Sequence, residues 1–205
     1  MDLTASMNPY INQIEQNLFN IINTIILECP GVDLYVGFVG FRDVTNSCAP
    51  VDLGFTQNHE ELKKSIKAIT YKCTGDYLPE EDVERGIELA LNKDWKNIAK
   101  IAILVTDNPA HGKKYSSNTD DVYPNGNPNA KKNIEILIKE LAEKDVSLFC
   151  MKITDRTDKM FGIFKTIYNN CKNCTFEVIP LQSENDLPNV IAEYSNNNYM
   201  NQRGV

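Results

Sequence analysis

Apolar residues return along this chain in two alternating rhythms. Met7, Ile11, Ile14, Leu18, Ile21, Ile22 and Ile25 recur every three or four positions and predict an amphipathic helix. Asn8 suits its N-cap and Pro9 its first turn, while Cys29-Pro30-Gly31 stops it. Residues 33–41 are β-rich and almost wholly apolar, predicting a strand buried on both faces. Residues 51–56 alternate and predict an edge strand. A short helix follows over 60–69, a loop over 71–79, and a helix over 80–91. Residues 101–105 form the clearest core strand, ending in Thr106-Asp107-Asn108-Pro109. Residues 110–130 are a long polar loop rich in Gly, Asn, Pro and Ser, a length that usually marks function. Helices are then predicted over 130–144, 159–169 and 186–194, strands over 146–153 and 175–181, and a fraying Asn-rich tail over 196–205. This alternation, without repeat or linker, predicts one α/β domain over residues 1–195: a doubly wound, mostly parallel, Rossmann-like sheet flanked by helices.

Composition narrows the class. The 205 residues suffice for one sizeable core, and 42% apolar with 24% charged residues is ordinary for a globular chain. With 28 acids against 21 bases, a net charge of −7, the balance argues against a nucleic-acid grip. The longest apolar run, 21–27, is interrupted by Asn23 and Thr24, far short of the roughly 20 residues that span a bilayer. No signal peptide is visible at Met1, and a cytoplasmic location is expected. Of six cysteines, Cys150 lies in the apolar run Leu148-Phe149-Cys150-Met151, and Cys171-Lys172-Asn173-Cys174 is a lone C-x-x-C. A zinc site would need a second pair or two histidines, and only His59 and His111 exist, so unpaired thiols are expected.

The candidate chemistry starts at Asp2-Leu3-Thr4-Ala5-Ser6, an acid and two hydroxyls at alternate positions. Such a turn suits a hard divalent cation, which prefers oxygen ligands. In open α/β sheets ligands bind beyond the carboxyl ends of the strands. Asp107 follows the strongest core strand, Asp43 follows the 33–41 strand, and Asp2 would follow a strand of which only Met1 is present. Each has an ordinary alternative: Thr4 or Ser6 as a helix cap, Asp43 paired with Arg42 or a turn amide, Asp107 as a turn acid. Three acids and two hydroxyls delivered to one rim favour a metal site. The turn should follow a buried central strand, so the chain is expected to continue upstream of Met1 with an apolar strand, unless this start is a gene-model artefact. If the fold stands without that strand, its two neighbours must close the gap.

Asp2-x-Thr4-x-Ser6, the strand ending Thr106-Asp107, and the stretch Pro79-Glu80-Glu81-Asp82-Val83-Glu84-Arg85-Gly86-Ile87 together resemble the von Willebrand factor A domain over nearly the whole chain. Three stretches look closest to the intracellular branch associated with alpha-kinases. They are Gly37-Phe38-Val39-Gly40-Phe41-Arg42-Asp43, Asp107-Asn108-Pro109-Ala110-His111-Gly112-Lys113-Lys114-Tyr115, and Asp121-Val122-Tyr123-Pro124-Asn125-Gly126. The resemblance implies a metal-ion-dependent adhesion site. Asp2, Thr4 and Ser6 match its first loop and Asp107 its third. Where the second loop normally gives threonine, alignment on Gly86-Ile87 puts Glu81, with Thr74, Asp76 and Asp82 nearby. A carboxylate there would tighten cation binding and weaken the ion's pull on a partner's acid. Asp43, Asp76, Asp82, His111 and Tyr115 are expected around the ligands or facing the partner.

The implied function is a Mg²⁺- or Ca²⁺-dependent protein-binding module within a larger alpha-kinase-like or multidomain protein. Its partner would offer a carboxylate, and the loop after Asp107 would shape selectivity. Nothing here resembles a kinase glycine-rich loop or catalytic lysine motif, so kinase activity would belong to another segment. Two alternatives stand beside it. One is a phosphate-ester hydrolase of the haloacid-dehalogenase type, with Asp2 as nucleophile and His111 as general base, although Thr4 stands where that family wants a second acid. The other is a scaffold with a degenerate metal site.

Overall fold

Alternate residues of the strands feed two apolar cores, one on each side of a central sheet. The structure, a computed structural model, describes residues 1–70, 79–96 and 99–181. The helix expected over 186–194 and the tail beyond it lie outside these residues. The element order is α1 (Ile11–Glu28), β1 (Val36–Gly40), β2 (Val51–Thr56), α2 (His59–Thr70), α3 (Val83–Leu91), β3 (Lys100–Thr106), α4 (Ile134–Glu143), β4 (Val146–Lys152), α5 (Asp158–Tyr168) and β5 (Phe176–Pro180). Val105, Phe149 and Met151 meet Ile14, Ile21 and Ile25 of α1 and Leu62 and Ile66 of α2. Their neighbours Leu104, Leu148 and Cys150 meet α3, α4 and α5 on the opposite side. That period of two, with helices on both faces, is the doubly wound arrangement.

The described strands form two separate sheets. β1 and β2 pair antiparallel, while β3, β4 and β5 pair parallel in that order. β1 and β3 do not close on each other. Between their C-terminal ends lies the stub of a strand, the backbone of Met1–Leu3. The Met1 amine donates to Val39 O (2.8 Å), Phe41 N to Met1 O (3.0 Å) and Leu3 N to Phe41 O (2.8 Å). On the other side Asp2 N donates to Val105 O (2.9 Å). Met1–Leu3 thus lie as a short extended segment between the ends of β1 and β3. β1 keeps mostly half-buried positions, in contrast to the fully buried strand its composition predicts.

Several boundaries differ from the sequence reading for local reasons. Asn8 does not cap α1: it closes a 3-10 turn over Ala5–Met7 in helical conformation, and α1 begins after Tyr10. Glu80–Asp82 are not helical, because Asp82 is the N-cap of α3 and accepts from Arg85 N at 3.0 Å. Asn133 does the same for α4, accepting from Ile136 N at 3.0 Å, so that helix starts four residues later than periodicity suggests. Cys171 and Cys174, expected as free thiols, are joined in a disulfide, their Cα atoms 5.8 Å apart in the turn after α5. Cys150 is a buried free thiol as expected.

Two glycines let the stub seat. A Cβ at Gly40 would lie 2.3 Å from Leu3 Cδ1, and one at Gly86 of α3 would lie 2.4 Å from the Phe41 ring. Replacing a mid-helix glycine by alanine normally stabilises by about 1 kcal/mol, whereas overpacking a buried contact costs about 1–3 kcal/mol. Phe41 is only 1% exposed and its backbone carries Leu3, so it has little room to yield. Gly86→Ala is therefore expected to lower the unfolding free energy by about 1–2 kcal/mol in urea titration; a rise would show that the ring gives way freely.

Candidate metal centre

Four segments meet at the carboxyl end of the sheet. The stub delivers Asp2, β3 delivers Asp107, the end of β1 delivers Asp43, and the segment before α3 delivers Glu81. Glu81 N donates to Pro109 O (3.0 Å) and Asp82 N to Arg42 O (3.2 Å), which ties this last segment to both strand ends.

Asp2 organises the first loop. Its Oδ1 accepts from Thr4 N and the Thr4 hydroxyl, both at 2.8 Å, and its Oδ2 lies 3.2 Å from the Thr106 hydroxyl. Thr4 Oγ1 is 3.1 Å from Ser6 Oγ, and Ser6 donates to Asp107 Oδ1 at 3.0 Å. Asp107 Oδ1 also accepts from Asn108 Nδ2 at 3.1 Å. One carboxylate oxygen from each of Asp2, Glu81 and Asp107 lies within 4.8 Å of the others. All three residues are buried, as is Thr4, while Ser6 is exposed and marks the side open to solvent. Burial, reinforced by the charge of Asp107, outweighs the Thr4 hydrogen bonds and raises the Asp2 pKa to about 7. Buried like charges crowded this closely favour a cation among them. The donor set, three carboxylates and two hydroxyls, is all hard oxygen, as Mg²⁺ or Ca²⁺ requires. The residues fit such an ion. Thr74 and Asp76, the other second-loop candidates, lie outside the described residues.

A second charged cluster stands beside the first, and sequence reasoning missed it. His111 is fully buried between two acids, with Nδ1 2.7 Å from Asp121 Oδ1 and Nε2 2.7 Å from Asp43 Oδ1. Burial alone would lower the His111 pKa. The hydrogen bonds and charges of Asp43 and Asp121 outweigh it and raise the pKa to about 9. Burial likewise pushes both acids up, but His111 and their other donors hold each below its ordinary value. The unit is an imidazolium clamped by two carboxylates. With both ring nitrogens engaged, His111 has none left to act as a general base or to hold an ion. Glu80, close enough to His111 and Asp121 to suggest a second metal cluster, instead accepts from Ser116 Oγ (2.7 Å) and Asn118 Nδ2 (3.3 Å).

The clamp fastens the long loop. Asp121 also accepts from Gly112 N (2.6 Å) and Tyr123 N (2.8 Å), and the Tyr123 ring packs edge-on against His111. Gly112 has φ +114°, and a Cβ there would press on the backbone of Gly126 at 3.3 Å, so glycine is required. Tyr115 is buried and donates to Glu135 Oε1 at 3.0 Å. Asp82, besides capping α3, accepts from Asn127 Nδ2 at 2.6 Å. Asp43, Asp82, His111 and Tyr115 thus hold loop to frame. In the sequence the clamp showed only as His111 and Asp121 within one loop, with Asp43 far off after the 33–41 strand.

No family model matches the chain. In sequence it is similar to the alpha-protein kinase vwkA of Dictyostelium discoideum, 30% identical over 169 residues that make up 80% of this chain and 26% of that protein. The chain thus spans about a quarter of the length of this curated relative. In structure it is similar to the crystal structure of the SpRpn10 VWA domain, with TM-score 0.56 and 14% identity, over 96% of this chain and 90% of that one. The chain has the fold of a von Willebrand factor A domain. Its sequence similarity runs to the alpha-kinase-associated kind expected from the loop motifs.

The clamp makes stability depend on pH. A histidine raised from about 6.5 to about 9 stabilises fully below pH 6.5 and loses that contribution as pH climbs towards 9. The depressed acids act oppositely: their contribution is present above about pH 4 and is lost below it. In denaturant titrations the advantage of wild type over His111→Asn should be greatest between about pH 4 and 6.5. It should shrink by roughly 3 kcal/mol on going to pH 9. A constant difference across that window would mean that His111 is not clamped as a cation.

Proposed function

We propose that this domain is a divalent-metal-dependent protein-binding module. Asp2, Thr4, Ser6, Glu81 and Asp107 would hold Mg²⁺ or Ca²⁺, and a carboxylate from a partner protein would complete the site from the exposed Ser6 side. The observation that carries this reading is the buried convergence of Asp2, Glu81 and Asp107 oxygens within 4.8 Å. The contrast with the neighbouring cluster strengthens it. Where Asp43 and Asp121 crowd together, His111 lies between them as a cation. Around Asp2 and Asp107 the bonded partners are hydroxyls and amides. The bound ion would supply positive charge to attract and orient an acidic side chain. The chain's own residues would do the rest: Asp2 and Asp107 fix the depth of the site, Ser6 keeps it open, and the anchored loop after Asp107 sets the shape presented beside it.

Glu81 makes the site more negative than a threonine would. It favours retention of the ion and reduces the charge left over for the partner's acid, so partner binding would be metal-dependent but modest. The likeness to a vwkA segment suggests that the module serves a larger alpha-kinase-like protein, with kinase chemistry outside this chain. A cytoplasmic setting is part of this reading, and no described helix is long and apolar enough to cross a membrane.

Titrating Mg²⁺ and Ca²⁺ into wild type should raise Tm by about 5–10 °C at one hundred times Kd, equivalent to about 2.7 kcal/mol of linkage. Asp107→Ala should show none of this rise. Immobilised Asp-containing peptides should retain wild type in the presence of the ion, release it with EDTA, and fail to retain Asp107→Ala. Equal stabilisation of wild type and variant would remove the metal site, and retention indifferent to EDTA would remove the metal-dependent binding.

A further inference from the structure

A pocket of about 220 Å³ lies beside the clamp, between the β1–β2 connection, the first turn of α3 and the end of the long loop. None of Asp2, Thr4, Ser6, Glu81 and Asp107 lines it. Two of its lining residues carry buried polar atoms with no hydrogen-bond partner, Glu84 Oε2 and Arg42 Nε, so these two do not bond each other. Glu84 is 4% exposed and stands in the first turn of α3. Arg42 follows β1, and its Nη1 reaches Ala49 O at 3.5 Å. The other charges around the pocket are occupied, apart from the exposed Lys131. Asp43 belongs to the clamp and Asp82 caps α3. Arg85 pairs with Glu88, and Lys132 with Glu140. Buried charges are normally paired and buried polar atoms bonded. Here one carboxylate and one guanidinium border the same space, each short of a partner of opposite sign.

We propose that this pocket binds a small zwitterion: one cationic amino group and one carboxylate on a single molecule of free amino-acid size. The amino group donates to Glu84 Oε2, and the carboxylate accepts from Arg42 Nε, with Lys131 adding positive charge on the same side. Both signs are needed, because a lone cation would leave Arg42 without its acceptor and a lone anion would leave Glu84 without its donor. The size follows from the volume, which is below the roughly 300–1,000 Å³ of pockets for drug-sized ligands. Val44, Pro50 and Leu137 offer apolar surface to the methylene groups between the two charges. The frame is built before any ligand arrives. Asn127 of the loop donates to Asp82 Oδ1 at 2.6 Å, and His111 holds Asp43 at 2.7 Å, so the loop is tied to the helix and to the end of β1. Little ordering cost is then left for binding. The pocket stands apart from the metal centre, and its occupation does not depend on an ion there.

The test uses the full chain in EDTA, so that the metal centre takes no part. The probes are glycine, β-alanine, 4-aminobutyrate and 6-aminohexanoate, whose two charges stand progressively further apart. Cys48 lines the pocket as an exposed free thiol and supplies a local readout. At least one probe should slow alkylation of Cys48, mapped by peptide mass, and raise Tm. Butylamine and butyrate, which keep one charge each, should do neither at the same concentration. Glu84→Gln and Arg42→Gln should each weaken binding by about tenfold or more, the loss of one charge-assisted hydrogen bond. Glu84 Oε2 has no partner to lose, so without a probe Glu84→Gln should melt no lower than wild type. Its lost binding would therefore not be lost folding, and a markedly lower Tm would show that this oxygen is already bonded and overturn the premise. Failure of every probe, equal protection by butylamine alone, or binding indifferent to both substitutions would overturn the proposal.

Discussion

Three residues of backbone carry the mechanical continuity of this domain. Among the described residues the two-stranded and three-stranded sheets share no direct pairing, and Met1–Leu3 is a strip that bonds to both. One side chain from that strip, Leu3, is completely buried over Gly40 in the α1 core, and the next, Asp2, points into the acid cluster at the rim. Fold and site therefore depend on the same hydrogen bonds. Displacing the stub would separate β1 from β3, and would also move Asp2 away from Thr4, Thr106 and Asp107, the groups that give its carboxylate a defined place.

Much of this was legible in the chain, and the exceptions have a common cause. The strands of the 101–105 and 146–153 segments could be read because their apolar runs leave no room for a solvated face. Asp2 and Asp107 could be read as neighbours because a parallel sheet brings the carboxyl ends of its strands together. Glu81 was reached only through its spacing from Gly86-Ile87, since nothing in Pro79-Glu80-Glu81-Asp82 by itself says which acid turns inwards. The misplaced helix starts share one error: periodicity was allowed to run past the better caps, Asp82 and Asn133, each directly before the first buried apolar residue of its helix. The Asp43–His111–Asp121 clamp was out of reach in kind. Its members come from distant parts of the chain, and only tertiary structure decides whether a histidine lies between two acids or beside them. The Cys171–Cys174 link was missed because a lone C-x-x-C in an expected reducing setting gives no geometric reason to close.

The two acid clusters solve the same electrostatic problem differently. Burying carboxylates close together is costly unless positive charge joins them. The clamp contains its own, in an imidazolium held on both nitrogens, and so is complete as a piece of structure. The cluster of Asp2, Glu81 and Asp107 is arranged around hydroxyls and opens at Ser6, the combination that leaves a place for an ion and a way in for it. On the proposed reading, structure and function are divided between neighbours: one cluster holds the loop, and the other would hold an ion.

If the proposed binding holds, that division bears on how the loop after Asp107 would take part in recognition. A polar segment of this length invites the picture of a lid, but its contacts are those of a wall. Gly112 turns it tightly and Asp121 gathers two of its amides. Ser116 and Asn118 bond Glu80, Tyr115 reaches Glu135, and Lys159 caps its carbonyls at Lys113 and Ser116. Such a loop would meet a partner already shaped, with little ordering entropy left to lose on contact. Discrimination among acidic ligands would then rest on the fit of the flanking surface to a fixed wall, because the ion itself cannot tell one carboxylate from another.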